Sequence, residues 1–276
     1  MPRQRTLESN VDPSSTSQID DNVPTGNKLM GFLATFTGTN ASGQSLGQED
    51  LGTVIVEIYE RQRINLDIGF TVSYPRIHHG DTDQESVTGG NIDLVSFVPL
   101  GYAHEPNAIP VRRTSDVRYS YNFDDAAIST DASSISFDLR AVYAPRVALR
   151  YIPEWRQSTF SFNSGTTDDE EYTSPDLTDI YLREAAANAN SDIIDNVRIT
   201  QDNTLETDTV TDDEIEDLSV ILEESAAGQG EPWSHQNLMD GPVSAGGFEN
   251  SQTELEITTN DSGDVLAVRH IRRPAE

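Results

Sequence analysis

Arg63-Ile-Asn-Leu-Asp-Ile-Gly-Phe-Thr-Val-Ser-Tyr74 alternates residue by residue between apolar and polar side chains. Ile64, Leu66, Ile68, Phe70, Val72 and Tyr74 share one parity; Asn65, Asp67, Thr71 and Ser73 share the other. Successive side chains of an extended backbone point to opposite faces, so the stretch predicts a strand with one face in a core and one in water. The same alternation recurs at Val117/Tyr119/Tyr121/Phe123, at Ile135/Phe137/Leu139/Ala141/Tyr143 and at Val147/Leu149/Tyr151. Apolar runs at 29–37, 51–59, 92–98 and 158–162 complete eight expected strands, separated by Gly, Pro, Asn and Asp clusters and interrupted by no helical pattern. Half-buried strands joined by turns give a mainly β fold, an antiparallel sandwich or barrel, over residues 28–163.

Two regions of different composition flank it. Residues 1–27 are polar, with Pro13, Pro24 and a Ser/Thr run at 14–17, and are expected to form an arm. Residues 164–276 carry 27 acids against 5 bases, net −22, whereas residues 1–163 carry 20 against 13, net −7. Two short helices are predicted in this acidic extension. One starts at Ser174-Pro-Asp176 and shows Leu177, Ile180, Tyr181 and Ala185 on one side; the other opens with the capping box Thr211-Asp-Asp-Glu214 and shows Ile215, Leu218, Leu222 and Ala226. Their apolar stripes are narrow and suit docking on a larger body. Glu254-Leu-Glu-Ile257 and Val265-Leu-Ala-Val268, linked through Asn260-Asp-Ser-Gly263, read as a hairpin.

Charge narrows the function. The 276 residues have no cysteine, so disulfides and thiolate metal sites are excluded. The net charge is −29, and the 18 basic residues include a single lysine, Lys28. Densely hydrated carboxylates with few long Lys stems fit a protein of molar salt, where the Debye length falls to about 3 Å and like charges cease to repel over distance. A source in an extreme halophile, a haloarchaeon or a virus of one, and a requirement for high salt follow as expectations. No apolar run follows Met1-Pro-Arg-Gln-Arg5, so no signal peptide is expected, and no stretch of 18 apolar residues predicts a membrane span. The protein is expected to be made in the cytoplasm, and nucleic-acid binding is disfavoured by the charge.

Motifs for chemistry are sparse. Asp81, Asp83 and Glu85 after His78-His79 resemble part of a calcium loop, but positions 86 and 92 are Ser and Ile where that loop needs Gly and Glu. A solvated turn is the preferred reading, with cation binding as the alternative. Glu57 and Glu154, each beside apolar or aromatic residues, are the best pair for a carbohydrate-active enzyme, which needs two carboxyl groups in one cleft. No nucleophile elbow, phosphate-binding Gly loop or dinucleotide fingerprint is present. No catalytic residue and no cofactor are therefore assigned.

One constellation carries more weight. Arg112, Arg113, Arg118, Arg140, Arg146, Arg150 and Arg156 interleave with Tyr119, Tyr121, Tyr143, Tyr151 and Trp155. Arg and aromatic side chains are enriched at protein interfaces, and the guanidinium fork matches carboxylates. Arg112, Arg113, Arg118, Arg140, Arg146, Arg150, Tyr151 and Trp155 are the expected interface, facing acidic segments such as 168–171 and 202–224 of the same or a neighbouring chain.

The polar arm, eight β-runs, acidic trailing segment and salt-adapted charge resemble a virion structural protein of a haloarchaeal virus. The β zone, residues 29–162, is similar in strand count to single jelly-roll capsid proteins of icosahedral viruses. The resemblance implies a subunit of a capsid, turret, connector or tail that assembles with copies of itself and other virion proteins, without catalysis. A halophilic cytoplasmic binding module and a carbohydrate-active enzyme are the alternatives.

Overall fold

The computed structural model describes residues 3–79, 85–86, 90–100, 107–163, 167–172, 177–185, 193–201, 204–205, 210–211, 233–237 and 253–275. The chain divides into two compact units, one of Met1–Arg76, Asp81–Glu154 and Pro274–Glu276, the other of Ile77–Gly80 and Trp155–Arg273. The expected class holds: the chain is mainly β, built from antiparallel sheets.

The first unit contains β1 (Arg3–Val11), β2 (Gln18–Asn22), β3 (Asn27–Asn40), β4 (Thr53–Ile58), β5 (Arg61–Asp67), helix α1 (Ile68–His79), β6 (Glu85–Ser86), β7 (Asn91–Pro99), β8 (Ile109–Val111), β9 (Val117–Asn122), helix α2 (Asp125–Asp131) and β10 (Ala132–Tyr143). One sheet runs β1-β10-β3-β7-β6, with β8 also on β3; in the other, β5, β4, β9 and β2 are successive neighbours. Alternation drives the two sheets together. Phe36 of β3 and Phe137 of β10 lie 5.0 Å apart by ring centroid, Phe137 meets Tyr121 of β9 at 5.2 Å, and Phe32 meets Tyr119 at 5.7 Å. Each such ring contributes about 1.5–3 kcal/mol by leaving water. Gly38 is required where β3 passes β10: a Cβ there would sit 2.1 Å from the Ser134 carbonyl oxygen.

In the second unit, β11 (Tyr151–Phe162) continues past the division and is followed by β12 (Thr167–Tyr172), β13 (Leu177–Ala185), β14 (Ile194–Gln201), β15 (Thr204–Leu205), β16 (Val210–Thr211), β17 (Trp233–Asn237), β18 (Thr253–Thr259) and β19 (Gly263–Pro274). Here β17, β13, β19 and β11 are successive neighbours, and β12-β18-β14 form a second sheet with β15 and β16 on β14. Phe162, Ile180, Leu182, Val265, Ala267 and Ile271 from one sheet and Ile194, Val197, Leu255 and Ile257 from the other make one buried cluster. The region expected as an α+β extension is thus a second sandwich.

Several elements differ from expectation. Only residues 63–67 of the deciding stretch form strand, as the end of β5; from Ile68 the chain is α1. Ile68, Phe70, Val72 and Tyr74 are buried, but so are Thr71 and Ser73, so the helix is enclosed on all sides over residues 68–74. Small polar residues fit because their hydroxyls are satisfied. Thr71 Oγ1 donates to the Ile68 carbonyl at 2.7 Å and shares a 2.6 Å bond with Ser96 Oγ, and Ser73 Oγ donates to Gln48 Oε1 at 3.0 Å.

The expected arm supplies β1 and β2. Most of β1 is exposed, because this edge strand is held by its backbone ladder to β10 and so needs no apolar alternation. Residues 177–185, expected as a helix, are β13, whose two faces are both buried: Ile180 and Leu182 on one, Asp179 and Tyr181 on the other. Burial on both sides erases the period-two signal. The second expected helix lies outside the described residues beyond Thr211. The strands of the expected hairpin exist as β18 and β19, but β18 pairs with β12 and β14 and β19 with β13, so their link joins different sheets. Residues 147–149 form no strand; the extended run starts at Tyr151.

Candidate assembly surface

The arginines reach the surface by the alternation that buries the aromatics. On β9, Val117, Tyr119 and Tyr121 enter the core and Arg118 stays exposed, where it grips Asp20 of β2 with both Nε (2.7 Å) and Nη2. On β10, Leu139 and Ala141 are buried and Arg140 is exposed, its Nη1 3.5 Å from Gln4 Oε1. Arg118 and Arg140 therefore sit on the outer faces of different sheets.

Arg112 and Arg113 occupy the turn between β8 and β9, both exposed. Asp116 shapes this turn: its Oδ2 accepts the backbone N–H of Arg112 (2.7 Å) and of Arg113 (2.8 Å). Arg146 and Arg150 are exposed on the link before β11. The six arginines are thus dispersed, with only Arg112 and Arg113 adjacent.

Tyr151 and Trp155 require correction, because both are buried inside the chain, at 6% and 1% exposure. Their size serves the core. Trp155 stacks on His270 with ring centroids 4.2 Å apart and on Tyr181 at 6.0 Å. The same burial holds for Tyr119, Tyr121 and Tyr143. Loss of hydration pushes the Tyr119 and Tyr121 phenols well above the ordinary value, with the Glu8 carboxylate adding to the effect at Tyr119.

The carboxylate pair does not converge. Glu57 is half-buried on β4 and lines a shallow hollow of about 340 Å³ with Asp20, Asp21, Asn22, Glu60, Ser115 and Arg118. Glu154 is buried on β11, not in a loop, and pairs with Arg63 Nη1 at 2.9 Å. It has no place in that hollow. Of the suspected cation loop, Asp81 and Asp83 lie outside the described residues, and Glu85 is described only as the register partner of Leu94. Among the described residues no three acidic or His side chains are grouped to hold a metal ion. None of the described helices is long and apolar enough to cross a membrane.

A buried polar cluster escaped sequence reasoning. Thr178 Oγ1 donates to Asp179 Oδ2 at 2.7 Å and lies 2.8 Å from His270 Nδ1. With the threonine proton directed to the carboxylate, the hydrogen of the second contact resides on the imidazole. Asp179 and His270 stand on neighbouring strands at one register position, which only the pairing of β13 with β19 reveals.

Charge on the second sandwich is unevenly spread. The β12–β18 register sets Asp169 opposite Glu256 and Glu171 opposite Glu254. Like charges directly opposed weaken a strand pair. Arg198 on the neighbouring β14 lies 3.8 Å from Glu256.

No protein-family model and no curated protein sequence matches the chain. Solved structures do. The major capsid protein P2 of bacteriophage PM2 aligns over 100% of this chain and 98% of its own, with a TM-score of 0.72 at 13% identity. The major capsid protein of Sulfolobus turreted icosahedral virus aligns over 98% and 97%, TM-score 0.70, at 10% identity. The capsid structure of virus PBCV-1 aligns over 99% and 93%, TM-score 0.65, at 8% identity. The likeness extends beyond the expected 29–162 to both sandwiches, so the chain has, along its whole length, the jelly-roll fold of viral major capsid proteins.

Proposed function

We propose that the chain is a major-capsid-type structural subunit of a virus particle from a halophilic host. It works by packing against copies of itself and other virion proteins, carries out no reaction and needs no cofactor. The observation that carries this function is the alignment of both sandwiches, end to end, with capsid proteins of similar length. An enzyme would need a converging set of reactive groups, and the one weighed carboxylate pair is split between a buried ion pair and an open hollow.

The exposed Arg112, Arg113, Arg118, Arg140, Arg146 and Arg150 serve as contact points for carboxylates of neighbouring subunits. Their dispersal over different faces suits a tile that meets several neighbours. A net charge of −29 and the opposed carboxylates of β12 and β18 favour salt for folding and association. The same charge disfavours direct contact with a genome. Size-exclusion chromatography with light scattering at ~2–3 M salt, where the Debye length is under ~3 Å, tests the function. Symmetric oligomers or larger closed assemblies are expected; a monomer at every concentration would turn the assignment towards a binding module.

A further inference from the structure

Two turns of the first sandwich are fastened together by one residue. Tyr59 and Glu60, the two central residues of the β4–β5 hairpin, have φ of 53° and 63°, a left-handed pair that side chains other than Gly, Asn and Asp rarely take. The Tyr59 N–H donates to the Asp116 carbonyl at 2.8 Å, and its hydroxyl lies 3.5 Å from the Pro110 carbonyl. Asp116 also organises Arg112 and Arg113 through its carboxylate. The fastening holds Tyr59 beside the two arginines in a fixed arrangement.

Three observations make this a surface with an unmet partner. Tyr59, at 36%, is the exposed large apolar side chain among the described residues. The guanidinium groups of Arg112 and Arg113 have no ion pair among the described residues, whereas Arg118 and Arg63 are taken by Asp20 and Glu154. Tyr and Arg are the side chains most often found as energetic anchors of interfaces, and here their backbone is ordered before any partner arrives.

We propose that Tyr59, Arg112 and Arg113 form a knob by which one copy grips the acidic β12–β18 strand pair of the next. The inference rests on the structural-subunit function proposed above and names its contact. Charge selects the occupant: a chain of net −29 is mostly repelled by its own kind, and a pair of unpaired arginines is where attraction between copies is available. On the other side, the strand register sets Asp169 opposite Glu256 and Glu171 opposite Glu254, a pairing of like charges that an incoming cation relieves. Two-pronged contacts are short enough to persist in molar salt, where longer-range attraction is screened. The knob and the acidic strands are different surfaces of the chain, so the contact is heterologous and, repeated, generates rings where the rotation closes and open filaments where it does not.

The test is assembly in high salt of the full chain, followed by light scattering, with circular dichroism and thermal unfolding to show that each variant folds. Arg112→Glu/Arg113→Glu is expected to raise the concentration needed for assembly by about tenfold or more, the size of one lost anchor. The milder Arg112→Gln/Arg113→Gln moves it in the same direction if the reversal fails to fold. Adding Asp169→Arg/Glu171→Arg to the reversal swaps the charges and is expected to restore assembly whatever the ring size. Unchanged assembly in the Gln or Glu variants, or a folded swap variant that stays unassembled, overturns the knob while leaving the structural-subunit function standing. A wild-type chain that never assembles overturns the function instead.

Discussion

Asn107 clamps the first residue of β11: its Nδ2 donates to the Tyr151 carbonyl at 2.9 Å while its Oδ1 lies 3.5 Å from the Tyr151 N–H. The same amide donates to the Leu100 carbonyl at 2.7 Å and accepts from the Arg150 N–H at 2.8 Å, all with Asn107 fully buried. Both the oxygen and the nitrogen of the side-chain amide are thereby engaged by backbone. Asn107→Asp turns two donated bonds into carboxylate–carbonyl repulsion. It is expected to cost about 2–4 kcal/mol and more than Asn107→Ala, read by chemical unfolding in high salt.

Arg63 and Glu154 make a second buried contact, with side-chain exposures of 14% and 3%. Removing the cation takes an ion pair from a buried carboxylate. Arg63→Met is expected to destabilise by about 3–5 kcal/mol, whereas Arg63→Met/Glu154→Leu, which removes both charges, recovers most of that loss. The ordering of the two midpoints in denaturant is the check.

Tyr121 places its hydroxyl in the first sandwich core with no hydrogen-bond partner. Tyr121→Phe is therefore expected to leave stability unchanged or raise it by about 1 kcal/mol, the reverse of most core substitutions.

The buried tyrosines also set an alkaline limit. Loss of hydration raises the phenols of Tyr119, Tyr121 and Tyr143, and that of the partly enclosed Tyr59, above the ordinary phenol range. A raised pKa means that the folded state holds its proton to higher pH than the unfolded chain does. That contribution is complete below about pH 10 and is lost as pH rises through the folded values. Absorbance titration should show the exposed phenols ionising first, with the remainder released only as near-ultraviolet dichroism collapses. Reversible ionisation of all nine tyrosines near pH 10 without unfolding would contradict their burial.

Sequence patterns revealed the strands that bury one face and missed those that bury both or neither. β9 and β10 alternate cleanly because Tyr119, Tyr121, Phe137 and Leu139 face a core while Arg118 and Arg140 face water. β13 gave a helical impression because Asp179 and Thr178 are buried beside His270, a polar contact that periodicity counts as surface. β1 carries no apolar signature because its stability is in backbone bonds to β10. The arginines were legible as a surface group, but Tyr151 and Trp155 were not legible as core, since the partners that enclose Trp155, His270 and Tyr181, are distant in sequence.

Salt should act on folding as well as on assembly. With Asp169 opposite Glu256 and Glu171 opposite Glu254, the second sandwich carries more self-repulsion than the first. Thermal unfolding is expected to rise with salt, and at low salt hydrogen exchange should open β12 and β18 before β3 and β10. Equal protection of both sandwiches at low salt would count against the charge argument.

On the function proposed above, copies of this chain pack against one another. Electron microscopy of the purified chain at ~2–3 M salt, where charge repulsion is screened to a few ångströms, tests it most directly. Closed symmetric rings or curved shells, with both sandwiches of each copy placed in the map, are the expected result. A uniform field of isolated single chains at all salts and concentrations would contradict it.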